Sequence, residues 1–150
     1  MKRMTSYRAT LFLLLAGALF GTNTLAGNVQ SAGTITPGDS PTQTGQLAVT
    51  GSYTQVSTGS LDIGIAGVNA GTQYGQLNVT AGASLGGTLN LSLLNGFVPS
   101  VGQTFTILNA SSVSGTFAAV NGACINSSEH FTVTYDPGDV VLTVVSGPCT

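Results

Sequence analysis

The chain has 150 residues, 42% hydrophobic and 5% charged, where an average soluble domain carries about 25% charged residues. Its three basic residues, Lys2, Arg3 and Arg8, all lie at the very start, while the acids Asp39, Asp62, Glu129, Asp136 and Asp139 follow, with a single histidine, His130. That distribution excludes nucleic-acid binding and phosphate clamping, which run on Lys and Arg, and it excludes polybasic membrane docking. One His and no Trp leave little from which to build a zinc site or a catalytic centre, and no cofactor or metal is expected.

Residues 1–26 read as a secretory signal peptide: a basic start to Arg8, an apolar stretch from Ala9 to Phe20, then small residues ending Thr24-Leu25-Ala26 before Gly27. As a helix the apolar stretch covers about 18 Å, short of a hydrocarbon core of about 30 Å, so it suits a cleaved leader better than an anchor. No second apolar stretch follows, so the mature chain is expected to have no membrane span. Localisation is then secreted, extracellular or at a bacterial cell surface. The remainder is one domain by length. Cys124 and Cys149 both lie in it, and export permits a disulfide.

Residues 27–45, rich in Gly, Ser, Thr, Pro and Gln, read as a flexible lead-in or a weak first rung. From 46 to 150 the pattern is that of short strands. Leu47 and Val49, Leu61, Ile63 and Ile65, Leu77 and Val79, and Leu89, Leu91 and Leu93 are each spaced by two, with small or polar residues between. The domain is therefore all-β. Gly45-Gln46-Leu47-Ala48-Val49-Thr50 recurs thirty residues on as Gly75-Gln76-Leu77-Asn78-Val79-Thr80. Ser60-Leu61-Asp62-Ile63-Gly64-Ile65 recurs twenty-eight residues on as Thr88-Leu89-Asn90-Leu91-Ser92-Leu93, and Thr104 to Ala110 begins a third partial copy. A unit that cannot bury its apolar face alone does so by stacking on its next copy, which predicts a short β-solenoid; a β-sandwich is the alternative.

The end of the chain differs. Two strands, His130 to Tyr135 and Val140 to Val145, flank the turn Asp136-Pro137-Gly138-Asp139. Pairing Phe131 with Val144, Val133 with Leu142 and Tyr135 with Val140 puts the apolar side chains on one face, and leaves Thr132 with Thr143 and Thr134 with Val141 on the other. The same register brings Cys149 opposite Asn126, close to Cys124, so a Cys124–Cys149 disulfide closing a hairpin cap over 124–150 is expected.

The run Gly75 to Thr80 through Gly87-Thr88-Leu89-Asn90-Leu91 and Leu94-Asn95-Gly96-Phe97 resembles β-helical passenger regions of bacterial autotransporter-like secreted surface proteins. So do Pro99 with Gly102-Gln103-Thr104-Phe105-Thr106-Ile107-Leu108, Val113-Ser114-Gly115-Thr116-Phe117, and the closing strands Phe131 to Tyr135 and Val140 to Val144. The resemblance covers Gly45 to about Val145. It implies the end of a right-handed parallel β-helix displayed or secreted for adhesion and surface architecture, and it carries over no catalytic residue. No outer-membrane barrel or sorting tail is visible after it, the solenoid is short for a passenger, and the Cys pair is unusual for the family.

Chemistry-bearing groups are few. Glu129 and His130 are adjacent on a strand and so point to opposite faces. Asp136 and Asp139 offer two oxygens where Ca²⁺ takes six to eight, and an Asp-Pro-Gly-Asp turn wants those residues anyway. Asp62 is expected to face outward, opposite Leu61 and Ile63. Paired carboxylates for a minimal hydrolase are not distinguishable among five acids, and a polysaccharide lyase would want an Arg or Lys that is missing. Asn78, Asn90, Asn109 and Asn126 each fit a glycosylation sequon, a pattern that chance supplies in a chain this rich in Asn, Ser and Thr. The expected function is structural or adhesive and non-enzymatic, with end-to-end or lateral self-association through the open strand edge on the N-terminal side. The alternative is a carbohydrate-binding module for a surface or extracellular glycan, with Tyr53, Tyr74, Thr132, Thr134 and Thr143 as its candidate ligand surface.

Overall fold

The structure, a computed structural model, describes residues 17–40 and 42–149, together with the backbone of three short strands at 2–3, 7–8 and 13–15. Of the expected signal peptide, residues 1, 4–6, 9–12 and 16 lie outside the described residues, and most of the others form the first five strands. Among the described residues there are nineteen strands and no helix, so no helix is long and apolar enough to cross a membrane.

The strands follow in triplets. β1 (Lys2–Arg3), β2 (Tyr7–Arg8) and β3 (Leu13–Leu15) precede β4 (Ala18–Gly21), β5 (Thr24–Ala26) and β6 (Val29–Ser31). Next come β7 (Thr34–Pro37), β8 (Gln46–Val49) and β9 (Tyr53–Gln55), then β10 (Ser60–Ile65), β11 (Gln76–Val79) and β12 (Gly82–Leu85). The last full triplet is β13 (Thr88–Leu93), β14 (Thr104–Asn109) and β15 (Ser112–Gly115), followed by β16 (Ala119–Asn121), β17 (Cys124–Asn126), β18 (Glu129–Asp136) and β19 (Asp139–Ser146). Each member of a triplet pairs in parallel with its counterpart in the next. The first face runs β1-β4-β7-β10-β13-β16, the second β2-β5-β8-β11-β14, and the third β3-β6-β9-β12-β15. This is a three-sided β-solenoid. Residues 27–45, expected as a lead-in or a weak first rung, contribute β6 and β7 to the stack.

The repeats of the sequence are the registers of the fold. Gln46 to Val49 lie beside Gln76 to Val79 on the second face, and Ser60 to Ile65 beside Thr88 to Leu93 on the first. The partial third copy joins through Leu77 beside Leu108. Because side chains alternate, this register stacks apolar residues inward in ladders: Leu19, Ile35, Leu61, Leu89 and Val120 on the first face, and Leu47, Leu77 and Leu108 on the second. Leu61, Leu77, Leu89 and Leu108 are fully buried, each worth about 1.5–3 kcal/mol relative to exposure.

Polar side chains stack as well. On the outer side of the first face, Asn121 Nδ2 donates to Asn90 Oδ1 (3.0 Å) and Asn90 Nδ2 to Asp62 Oδ1 (2.7 Å), which turns Asp62 outward as expected. On the second face Gln46 Nε2 donates to Gln76 Oε1 (2.7 Å) and Asn109 Nδ2 to Asn78 Oδ1 (2.9 Å). The tight corner between the third and first faces needs glycine: Gly87 and Gly115 both have positive φ, and a Cβ there would strike Gly59 O and Leu85 O respectively.

The C-terminal hairpin has the expected register, Phe131 with Val144 through Tyr135 with Val140, and Cys124 is bonded to Cys149. β19 adds antiparallel to β14, with a bulge between Thr106 and Leu108, so the second face continues β14-β19-β18-β17 beyond the parallel stack. Phe131 packs edge-on to Phe105 (centroids 5.9 Å) and covers the end of the core. Closing a 25-residue separation, the disulfide should stabilise the oxidised chain by about 3–4 kcal/mol through the unfolded state. A Cys124→Ser, Cys149→Ser chain measured by urea unfolding should lose that amount with an increase in the denaturant slope; an unchanged midpoint would contradict it.

Candidate functional site

The connections between faces are unequal. Turns from the second to the third face are short, at 50–52, 80–81 and 110–111, and so are those from the third to the first, at 56–59, 86–87 and 116–118. From β7 onward the length goes into the corner between the first and second faces, where loops 38–45, 66–75 and 94–103 stack in successive triplets. Gly38 closes the first of these loops: at φ +144° it accepts the approach of Gln43 O, which a Cβ would block.

The three loops line an open cleft of about 420 Å³. Loop 38–45 supplies Asp39, Thr42, Gln43 and Thr44; loop 66–75 supplies Ala66, Thr72 and Gln73; loop 94–103 supplies Asn95. Several of these groups are held in place. Gln73 Oε1 accepts from the backbone N–H groups of Val68 (3.1 Å) and Asn69 (3.2 Å), and Thr44 Oγ1 donates to Thr72 O (2.8 Å). Thr22 Oγ1 donates to Asp39 Oδ1 (3.4 Å). Asn95 sits in the left-handed region at φ +56°, followed by Gly96 at +72°, the Asn-Gly pair of a tight turn. The side-chain amides of Gln43 and Asn95 make no hydrogen bond to another described residue. The large apolar side chains exposed among the described residues, Val68 (49%), Val98 (61%) and Val101 (53%), lie on two of the same loops. The solenoid thus gathers a polar cleft and its exposed apolar surface onto one edge.

The sequence-predicted ligand surface is in part corrected. Tyr53 is fully buried inside the third face, where its hydroxyl donates to Gln55 Oε1 (2.7 Å) and burial pushes its pKa well up. Gln55 in turn donates to Gly86 O (2.7 Å) and Thr88 O (3.1 Å), so Tyr53 completes an internal polar network. Tyr74 is 5% exposed and packs edge-on to Phe105 (5.2 Å). Neither ring offers a face to a ligand, because an inward strand position buries a tyrosine as readily as a leucine once its hydroxyl has a partner. Thr132, Thr134 and Thr143 do come together: Thr132, Thr143 and Thr104 form one row across β18, β19 and β14, with Thr134, Val141 and Thr106 as the next.

Glu129 and His130 part company as expected, Glu129 Oε2 accepting from Asn126 Nδ2 (2.7 Å) and His130 Nδ1 lying 3.2 Å from Gly147 O. Asp136 and Asp139 pair across the hairpin turn, and no group of three or more His, Cys, Asp or Glu side chains suited to a metal occurs among the described residues. The cleft residues were missed in the sequence. Their signal was the pair of non-alternating stretches following the two copies of the first-face strand, after Ile65 and after Leu93.

No protein-family model matches this chain, and comparison with curated proteins finds no similar sequence.

Asp139 yields a pH prediction. Its Oδ1 is buried without a hydrogen-bond partner among the described residues, and desolvation, then the charge and side-chain hydrogen bonding of Asp136, hold its pKa above the usual carboxylate range. The folded state therefore binds this proton more readily than the unfolded chain, and the group's contribution to stability falls as pH rises from the usual value through the raised one. Asp139→Asn should be more stable than the native chain at neutral pH, the gap closing on acidification; a gap that is absent or independent of pH in urea unfolding would contradict this.

Proposed function

We propose that this chain is a non-enzymatic structural or adhesive protein of the cell surface or extracellular matrix, and that it engages its partner through the loop edge between the first and second faces. The observation that carries the reading is the placement of extra chain length. In a stacked fold, insertions that fall at one corner leave the ladders intact and build a continuous surface along one side. Here that side holds the cleft and all three exposed valines. Export, through the leader expected at 1–26, is the compartment in which the Cys124–Cys149 bond would persist, and it would place the edge where such contacts are made. The resemblance to autotransporter-like passenger regions points the same way.

Self-association supports a second reading of the same role. β1, β2 and β3 end the three sheets on the N-terminal side, where self-association is expected, and β16 and β17 end two of them at the other; an end strand can template pairing with another copy.

Val68→Asp, Val98→Asp and Val101→Asp combined should leave the unfolding midpoint nearly unchanged, since each lies on an exposed loop, and should reduce retention on glycan-coated surfaces and whole bacterial cells by about tenfold or more. Unchanged retention would overturn the loop edge as the contact surface. Light scattering on the same oxidised protein decides the second reading: concentration-dependent growth in mass supports edge pairing, and a monomer at every concentration removes it.

A further inference from the structure

We propose that the Cys124–Cys149 disulfide is a thiol–disulfide exchange site, at which the cysteine thiolate of a partner is captured as a mixed disulfide on Cys149. It adjoins the loop edge, since Gly102 N–H donates to Val144 O (2.9 Å) and Val144 N–H to Gln103 O (3.0 Å). The exchange does not require that edge to be the contact surface.

Access comes first. The two cysteines are the only ones in the chain, and both are exposed. With Ala123, His130 and Phe131 they line an open cavity of about 230 Å³, room for an incoming cysteine side chain. A disulfide is exchanged only if a thiolate can reach one of its sulfurs, and exposed disulfides are the labile ones.

The surroundings set which sulfur is attacked. Cys124 on β17 is the cross-strand partner of His130 on β18, the single histidine of the chain. Directly opposed residues hold their Cβ atoms about 4.5–5.5 Å apart on one face of a sheet. His130 Nδ1 lies 3.2 Å from Gly147 O, which can only accept, so Nδ1 carries hydrogen and Nε2 is the nitrogen that takes up a proton. Protonated, the ring is a cation beside Cys124, the setting that makes a thiolate a good leaving group. Cys149 Sγ instead faces two backbone carbonyl oxygens, Asn126 O at 3.3 Å and Glu129 O at 3.8 Å, which oppose negative charge there. Cys124 Sγ faces one, Asn126 O at 3.6 Å.

The incoming thiolate therefore attacks Cys149 Sγ. A new S–S bond forms to Cys149 as the Cys124–Cys149 bond breaks, and the electron pair of that bond leaves on Cys124 Sγ as a thiolate beside His130. One thiolate and one disulfide enter and one of each results, so no oxidant or reductant is needed. The hairpin has its own pairing: eight register pairs join β18 to β19, and Gly147 N–H donates to Ser128 O (2.8 Å). Cys149 thus stays within reach of the Cys124 thiolate, whose attack on the mixed disulfide releases the partner.

The test incubates the oxidised chain with glutathione and, separately, with the neutral peptide acetyl-Gly-Cys-Gly-amide, quenches with acid and maps adducts by mass spectrometry. One adduct per chain should form, on Cys149 with Cys124 free, about tenfold faster than the same thiol attacks free cystine. Faster reaction with the peptide identifies a protein cysteine as the partner group, and faster reaction with glutathione a low-molecular-weight thiol. His130→Gln, whose amide can still donate to Gly147 O, should slow the reaction by about tenfold and spread the adduct over both cysteines, with the unfolding midpoint of the oxidised chain unchanged. No adduct, an adduct on Cys124 of the native chain, a rate no greater than that of cystine, or the same rate and position in His130→Gln would overturn the proposal. The position of the adduct on the native chain decides the direction of attack even if that variant fails to fold.

Discussion

Successive strand triplets are held to one another by parallel backbone pairing, and the inward ladders of Leu, Ile and Val are a consequence of that pairing. The ladders need neighbours at one fixed register, since a slip of a single residue would turn Leu61, Ile63 and Ile65 outward and bring Asp62 into the core. The polar ladders impose the same register from outside: Asp62, Asn90 and Asn121 can hand hydrogen bonds along the stack only when they are directly beside one another. With charged side chains nearly absent, amides and hydroxyls replace ion pairs in fixing the pairing.

A stack of this kind must end, and the hairpin ends it on one face. β19 reverses direction against β14, so the sheet continues in its hydrogen bonding while the coil does not, and Phe131, Leu142 and Val144 cover what the next coil would have covered. The Cys124–Cys149 bond ties the last residues of the chain to β17 at the far side of this extension. The same economy explains the loop edge. Both other corners are closed by short turns, and at the corner between the third and first faces Gly59, Gly86, Gly87 and Gly115 pack against carbonyls of the preceding coil; the added length lies at the corner between the first and second faces.

The periodicity made the scaffold legible. Alternation at Leu47 and Val49 or at Leu89 to Leu93 reports one buried face, and the offsets of thirty and twenty-eight residues report which strands are neighbours, so the sheet registers could be written down from the repeats. The hairpin was legible for the same reason, since its turn residues fix the pairing of Phe131 with Val144. The site was not. Asp39, Gln43, Gln73 and Asn95 come from loops without periodicity, and they meet only because the stack superposes three corners. Tyr53 misled because alternation does not say whether an aromatic at a strand position points in or out; its burial depends on Gln55, whose own partners, Gly86 and Thr88, lie one coil further on.

The proposed role requires a rigid stack that presents one loop-built edge to its partner. Native-state hydrogen exchange on the oxidised chain, free and bound to a surface that retains it, addresses this most directly. Strand amides of all three faces should be slow in both states, and protection gained on binding should fall on 38–45, 66–75 and 94–103. Protection gained instead on β16, β17 or the outer face of the hairpin, or fast exchange through β10 to β13 in the free chain, would contradict it.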